Sequence, residues 1–270
     1  MPNIEFIGEN DSFKMNYIDA WQFELGECYM DNRNIVYLAE LKYYHHIKNA
    51  KEKLKNIQYA DEQMELFFSA AIPHIFKEFK TIDNKYCLII KKPTDSFPLK
   101  NVLEYFDDEI EGEHIAWIIT RLLNIEQFLS YNNIIHNGIS LSNIFINPKT
   151  HIVTLYGGWW YATYPDELMT GTNSFVYDLL LPETLKTKKP TCYTDLESIK
   201  LVGKQISGII TSGFTTLPDS MLNFLNKKST KDIKKELMLW EKAKEEAYGK
   251  PKFIEMKIET NKLFNMKGDN

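Results

Sequence analysis

A chain of 270 residues, 44% hydrophobic and 26% charged, has the composition of an ordinary globular protein and the length for one large domain or two small lobes. Its net charge of -5 argues against wholesale nucleic-acid binding, and only Arg33 and Arg121 carry the planar fork that bidentate phosphate recognition favours. Cys28, Cys87 and Cys192 form no ligand pair and suit a reducing compartment. The opening MPNIEFIGEN lacks a basic n-region and an apolar h-region, and no apolar run reaches about 18 residues. The expectation is a cytoplasmic protein, neither secreted nor membrane-spanning.

Trp21–Met30 and Asn34–Leu41 carry β-formers on either side of Asp31-Asn32-Arg33 and predict a hairpin. Tyr43–Ile57 predicts a helix with apolar positions at 44, 47, 50, 54 and 57. Lys51, Glu52, Lys53 and Lys55 read as its exposed face. His45-His46 has no Cys and no further His nearby, so it reads as solvated or hydrogen-bonded rather than metal-ligating. A second helix spans Ala60–Ala71 and stops before Pro73. Ile75–Phe79 and Tyr86–Lys91 then predict a hairpin closed at Asp83-Asn84, and a proline-bearing hinge follows at 93–98.

Beyond the hinge, Leu99–Phe106 reads as a short helix and Asp107–Gly112 as an acidic loop. Glu113–Tyr131 predicts a buried helix, because Ile115, Ile118, Ile119, Leu122, Leu123, Ile125, Phe128 and Leu129 make a wide apolar face. Arg121 among them needs an acid or a carbonyl if it points inward. Asn143–Ile146 and Ile152–Tyr156 predict a hairpin around Asn147-Pro148-Lys149. Thr194-Asp195 opens an apolar helix, Leu196–Ile210. Met221–Leu225 and the amphipathic Lys231–Tyr248 follow, with Thr230 as candidate N-cap. An extended IEMKI segment and a polar C-terminus expected to fray close the chain.

Between the buried helix and its hairpin stands HNGISLSN, His136–Asn143. Helix, loop and hairpin in this order resemble the catalytic core of the protein-kinase family, whose loop reads H-R-D-L-x-x-x-N and whose second strand ends in Asp-Phe-Gly. His136 and Asn143 keep the spacing, but Asn137 replaces the Arg and Gly138 the catalytic Asp. The metal-binding Asp falls at Tyr156, Gly157 or Gly158; Gly158 is preferred because GWWYA then overlays a D-W-x-Y-A variant. No residue from Leu155 to Thr163 is a carboxylate, whereas phosphoryl transfer depends on magnesium held by acidic oxygens and on a base orienting the hydroxyl. Gly26 is the only Gly between Glu9 and Gly112, so a Gly-rich phosphate loop is absent. Lys42 is the one candidate for the nucleotide Lys, the alternative being a solvated Lys at a strand end. Tyr161–Leu181 stands for the activation segment, Pro182-Glu183 for its closing P-E, and Asp195 for the buried Asp that ties its helix to the loop backbone. HNGIS, LYGGWWYA and YGKPKF look like the kinase-like proteins of tailed bacteriophages and some bacteria.

The resemblance implies an α+β, two-lobed fold: a reduced β-rich lobe at 1–92, the hinge, and a mainly helical lobe at 99–270. It implies a catalytically inactive kinase-fold protein, or pseudokinase, acting as a protein-binding or regulatory module in the cytoplasm, that of the host if phage-encoded. The alternative is an atypical Ser/Thr kinase or other ATP-dependent phosphotransferase with relocated acids such as Asp166, Glu167 or Asp178. A third reading is a module that keeps nucleotide without metal. No catalytic residue, metal or cofactor is expected, weak nucleotide binding being left open, and the expected partner is a protein rather than a membrane or nucleic acid. Trp159, Trp160, Tyr161 and Tyr164 read either as that partner's surface or as packing that fills the core or the former nucleotide cleft.

Overall fold

Two strands that are apolar on both faces organise the N-terminal half. The computed structural model describes residues 2–250 and 252–265. β1 (Asn3–Ile7) and β2 (Ser12–Asn16) form a hairpin, and β3 (Asp19–Phe23), β4 (Gly26–Met30) and β5 (Asn34–Glu40) form a meander. Helices α1 (Tyr44–Lys55) and α2 (Glu62–Phe68) precede a second hairpin, β6 (His74–Lys80) and β7 (Lys85–Lys91). The antiparallel sheet runs β3-β4-β5-β7-β6. Side chains alternate across β5 and β7 with the period of two that a strand imposes. Ile35, Tyr37, Ala39, Leu88 and Ile90 face the main core, while Val36, Leu38, Cys87 and Ile89 meet Phe6 and Met15 of the β1–β2 hairpin. A sheet covered on both sides needs continuous apolar runs, which is why IVYLA and YCLII do not alternate.

The β1–β2 hairpin is a finding that the sequence analysis did not anticipate; NIEFI and SFKMN are short and bury one residue each. The stretch Trp21–Met30 is two strands rather than one. The chain reverses at Glu24-Leu25, where Gly26 takes φ 155° and a Cβ would lie 2.1 Å from the Leu38 carbonyl oxygen.

The remaining chain is mainly helical. A short β8 (Phe97–Pro98) leads into α3 (Leu99–Tyr105) and the long α4 (Gly112–Tyr131). β9 (Ile144–Asn147) and β10 (Ile152–Leu155) form the expected hairpin, and β8 joins it as a third strand, so Phe97 and Pro98, the last two residues expected as a hinge, are paired to the hairpin. Lys92 ties the same stretch down, donating to the carbonyls of Asn32, Pro93 and Ser96. Then come α5 (Ser174–Tyr177), α6 (Pro182–Thr187), α7 (Cys192–Ile206), α8 (Ile209–Ser212), α9 (Asp219–Asn226), α10 (Ile233–Tyr248) and α11 (Thr260–Asn265). The wide apolar face of α4 is buried against α7 and α10.

Three boundaries differ from expectation. Asp232, not Thr230, caps α10, because its Oδ1 accepts the Lys234 and Lys235 N–H groups. α7 ends at Ile206 and not Ile210, since Gly208 turns left-handed at φ 75° and starts α8. Part of the tail packs rather than frays: Met256 and Leu263 are buried, while 266–270 lie outside the described residues. Among the described residues no helix is long and apolar enough to cross a membrane.

Candidate functional site

The loop between α4 and β9 is held from below by one carboxylate. Asp195, in the first turn of α7, is fully buried. Its Oδ2 accepts the His136 N–H at 2.6 Å and its Oδ1 the Asn137 N–H at 2.9 Å. Asn137 is left-handed, at φ 55°, and its amide donates to the Tyr161 carbonyl at 3.2 Å. Thr172 in turn donates to the Asn137 carbonyl, at 2.6 Å. The Asn137 side chain and carbonyl are thus both engaged. Ile135 and Thr163 exchange two further backbone bonds at 2.9 Å, so the loop and the segment after β10 form one unit.

At the centre of that unit the backbone closes on itself. Asn143 donates from its amide to the Gly138 carbonyl at 2.8 Å. A Cβ on Gly138 would lie 2.8 Å from both the Cα and the carbonyl oxygen of Gly158. A Cβ on Gly158, which sits at φ 82°, would lie 2.6 Å from the Gly138 oxygen and 2.7 Å from His136 Cε1. One on Gly157 would meet Asn143 Oδ1 at 2.1 Å. At Gly138 and Gly158 two backbones therefore occupy the volume that side chains would need, and at Gly157 the Asn143 side chain does. His136 is sealed beneath Trp159 (ring centroids 5.0 Å apart) and neither ring nitrogen finds a well-aligned partner. Burial pushes its pKa down to about 3, with the Gly157 backbone offsetting part of the effect. The imidazole is neutral at physiological pH and fully buried.

The aromatic strip lies inside. Trp159, Trp160 and Tyr161 are buried, so the expectation that they present a partner surface is corrected; only Tyr164 is partly accessible. Trp159 Nε1 donates to the Leu155 carbonyl at 2.6 Å. The Trp160 ring packs between Phe23 of β3 and Tyr37 of β5, at 5.0 and 5.2 Å. It thereby fills the space under the sheet, and the physical reason is area: an indole that meets two aromatic rings and a sheet is worth more in the core than in water.

α1 grips this strip. His46 Nδ1 donates to the Trp160 carbonyl at 3.3 Å, and Asn49 donates to the Ala162 carbonyl at 2.7 Å. Lys53 overturns the expectation of an exposed face. It is 1% exposed, and its ammonium bonds Glu167 at 2.8 Å while lying 3.6 Å from the Tyr164 ring centroid. Burying the Lys stem along α1 leaves the head at the one place where an acid and an aromatic face wait. Lys42, by contrast, is solvent-exposed and paired with Glu40 on its own strand end, as the solvated reading has it.

The relocated acids do not gather. Glu167 is spent on Lys53, whose hydrogen bond holds its carboxyl below the usual range. Asp166 and Asp178 are exposed, as are Pro182 and Glu183 at the start of α6. Among the described residues, no group of three or more His, Cys, Asp or Glu is placed to hold a metal ion. The acid that sequence reasoning missed is Glu126 of α4. It is fully buried, neither oxygen has a hydrogen-bond partner, and burial with the nearby Asp195 raises its pKa well above the usual range. The signal was legible: Glu126 sits one turn from Leu122, Leu123 and Leu129, on the apolar face. No family model matches the chain, and no curated protein matches it.

Proposed function

We propose that the chain is a catalytically inactive member of the protein-kinase-like fold, serving as a binding or regulatory module. The observation carrying this reading is the contact of the Gly138 and Gly158 backbones. The two carboxylates that the resemblance calls for, a base and a metal ligand, would have to occupy that contact. Support comes from the sheet order β3-β4-β5-β7-β6 with α1 inserted between β5 and β6, from the Asp195 bonds to the loop, and from Trp160 filling the space beneath β3 and β5. A site built this way offers neither an anionic oxygen for magnesium nor a base for a hydroxyl. What it retains is a rigid frame, and the module's partner is read as a protein.

The test is transfer from radiolabelled ATP, with magnesium or manganese, to the protein itself and to general protein acceptors. No transfer above the heat-denatured control is expected. Sustained turnover that survives repurification and depends on Asp166, Glu167 or Asp178 would overturn the reading in favour of relocated catalytic acids.

A further inference from the structure

A cavity of about 870 Å3 opens between α4, α10 and the segment that follows α10, and shares no lining residue with the His136 loop. Its volume falls within the range of about 300–1,000 Å3 typical of small-molecule sites. Rings form one wall. Trp117 of α4 lies parallel to His151 at 4.3 Å and 6°, and Phe253 stacks on His151 at 4.3 Å and 21°. His151 Nε2 is fixed to the Ile254 carbonyl at 2.9 Å, and burial lowers its pKa, so this ring is a neutral spacer in the stack. Phe253 is 67% exposed. The stack therefore ends on an open aromatic face that a further flat ring can cover.

Beside the stack sits a cation without an acid. Arg121 is half-buried; its Nε donates to the His151 carbonyl at 3.0 Å and its guanidinium lies 5.2 Å from the Phe67 ring centroid. A guanidinium carries five N–H donors, and among the described residues Arg121 has no carboxylate partner. Removing it partly from water without an anion is costly, and burial pulls its pKa down accordingly. Lys244 and Glu241 pair at 2.8 Å and cancel. The other charges lining the cavity are Lys250 and Lys252, which join Arg121, and Glu113 and Glu245. Three cations suit a phosphate, and two carboxylates suit the hydroxyls of a sugar or the amino group of a base.

We propose that this cavity binds a free mononucleotide, its base extending the Trp117–His151–Phe253 stack and its phosphate completing Arg121. A single nucleic-acid strand needs an extended positive track as well as stacking rings, which a chain of net charge -5 whose cavity mixes Arg121, Lys250 and Lys252 with Glu113 and Glu245 does not offer. The site uses no magnesium and no residue of the collapsed centre, so it stands or falls independently of the proposed loss of catalysis.

The experiment is calorimetric titration of the full chain with AMP in EDTA, alongside adenosine, ribose 5-phosphate and a single-stranded oligonucleotide of about ten nucleotides. A single class of AMP site is expected, with both fragments binding more weakly than AMP. Arg121→Gln and Phe253→Ala should each weaken AMP about tenfold, or about 1.4 kcal/mol. Because Phe253 is exposed, its variant reports on binding with the fold intact, which a melting curve checks. The proposal is overturned if AMP at about 1 mM fails to bind or if both variants bind like the wild type. Tighter, strongly salt-dependent oligonucleotide binding also overturns it, reassigning the cavity to a nucleic-acid strand.

Discussion

Placing at Gly138 the carboxylate that the kinase resemblance calls for should break the site rather than activate it. Gly138→Asp places a Cβ 2.8 Å from Gly158 Cα, about 0.7–1.2 Å inside the carbon–carbon optimum of about 3.5–4.0 Å. The obstacle is backbone on both sides, pinned by the Asn143 amide at the Gly138 carbonyl and by Asp195 beneath the loop. Overpacking of this kind costs about 1–3 kcal/mol. The carboxylate would add a further penalty of about 1–3 kcal/mol or more for burial without a donor. Gly138→Ala isolates the steric part, because Gly138 itself lies outside the left-handed region. Urea unfolding followed by tryptophan emission measures both variants, and the order expected is wild type, then Ala, then Asp. In a thermal melt each kcal/mol corresponds to roughly 2–4 °C for a chain of this size class. If Gly138→Asp melts like the wild type, or transfers phosphate from magnesium-ATP, the two backbones separate in solution and the closed centre described above is wrong.

Asp195→Ala should cost about 2–6 kcal/mol, since two buried N–H groups at about 1–3 kcal/mol each lose their acceptor; Asp195→Asn, which keeps one acceptor, should cost about half, and chemical denaturation of the pair checks the ratio. Glu126 has a folded pKa raised above its unfolded value, so the wild type loses stability as pH rises beyond about 4.5. Glu126→Gln removes that titration, and its stability relative to wild type should grow by up to about 1.4 kcal/mol per pH unit until Glu126 ionises in the fold; His136, pushed down, and Asp195, whose carboxyl burial raises to about 7, titrate in both proteins. A difference that stays flat from pH 5 to 8 refutes the buried-carboxyl assignment. Trp160→Ala should destabilise by about 3–5 kcal/mol through the cavity left beneath Phe23 and Tyr37; an unchanged melt would return the indole to the surface.

Much of the architecture was legible because it is written at short range. The apolar period of α4, the turn residues of the β6–β7 and β9–β10 hairpins, and the spacing that sets Asp195 at the start of α7 each depend on residues within a few positions of one another. Glu126 was legible too, by its place on the apolar face of α4, although a carboxylate there runs against the usual rule that buried charges are paired.

What the sequence by itself determined about this protein is therefore the order and type of its main elements, and the absence of carboxylates from Leu155 to Thr163. Only the tertiary structure decided which side chains go inside. Lys53 reads as solvated until Glu167, 114 residues away, closes over it; Trp159, Trp160 and Tyr161 read as core packing or as a partner surface until α1 and the sheet cover them. The same holds for the glycines. A missing side chain in a sequence looks like a vacancy, but Gly138 and Gly158 are 20 residues apart, and only folding brings their backbones into contact and turns the vacancy into packed volume. Local periodicity specifies conformation along the chain, whereas burial is a property of whatever arrives on the opposite face.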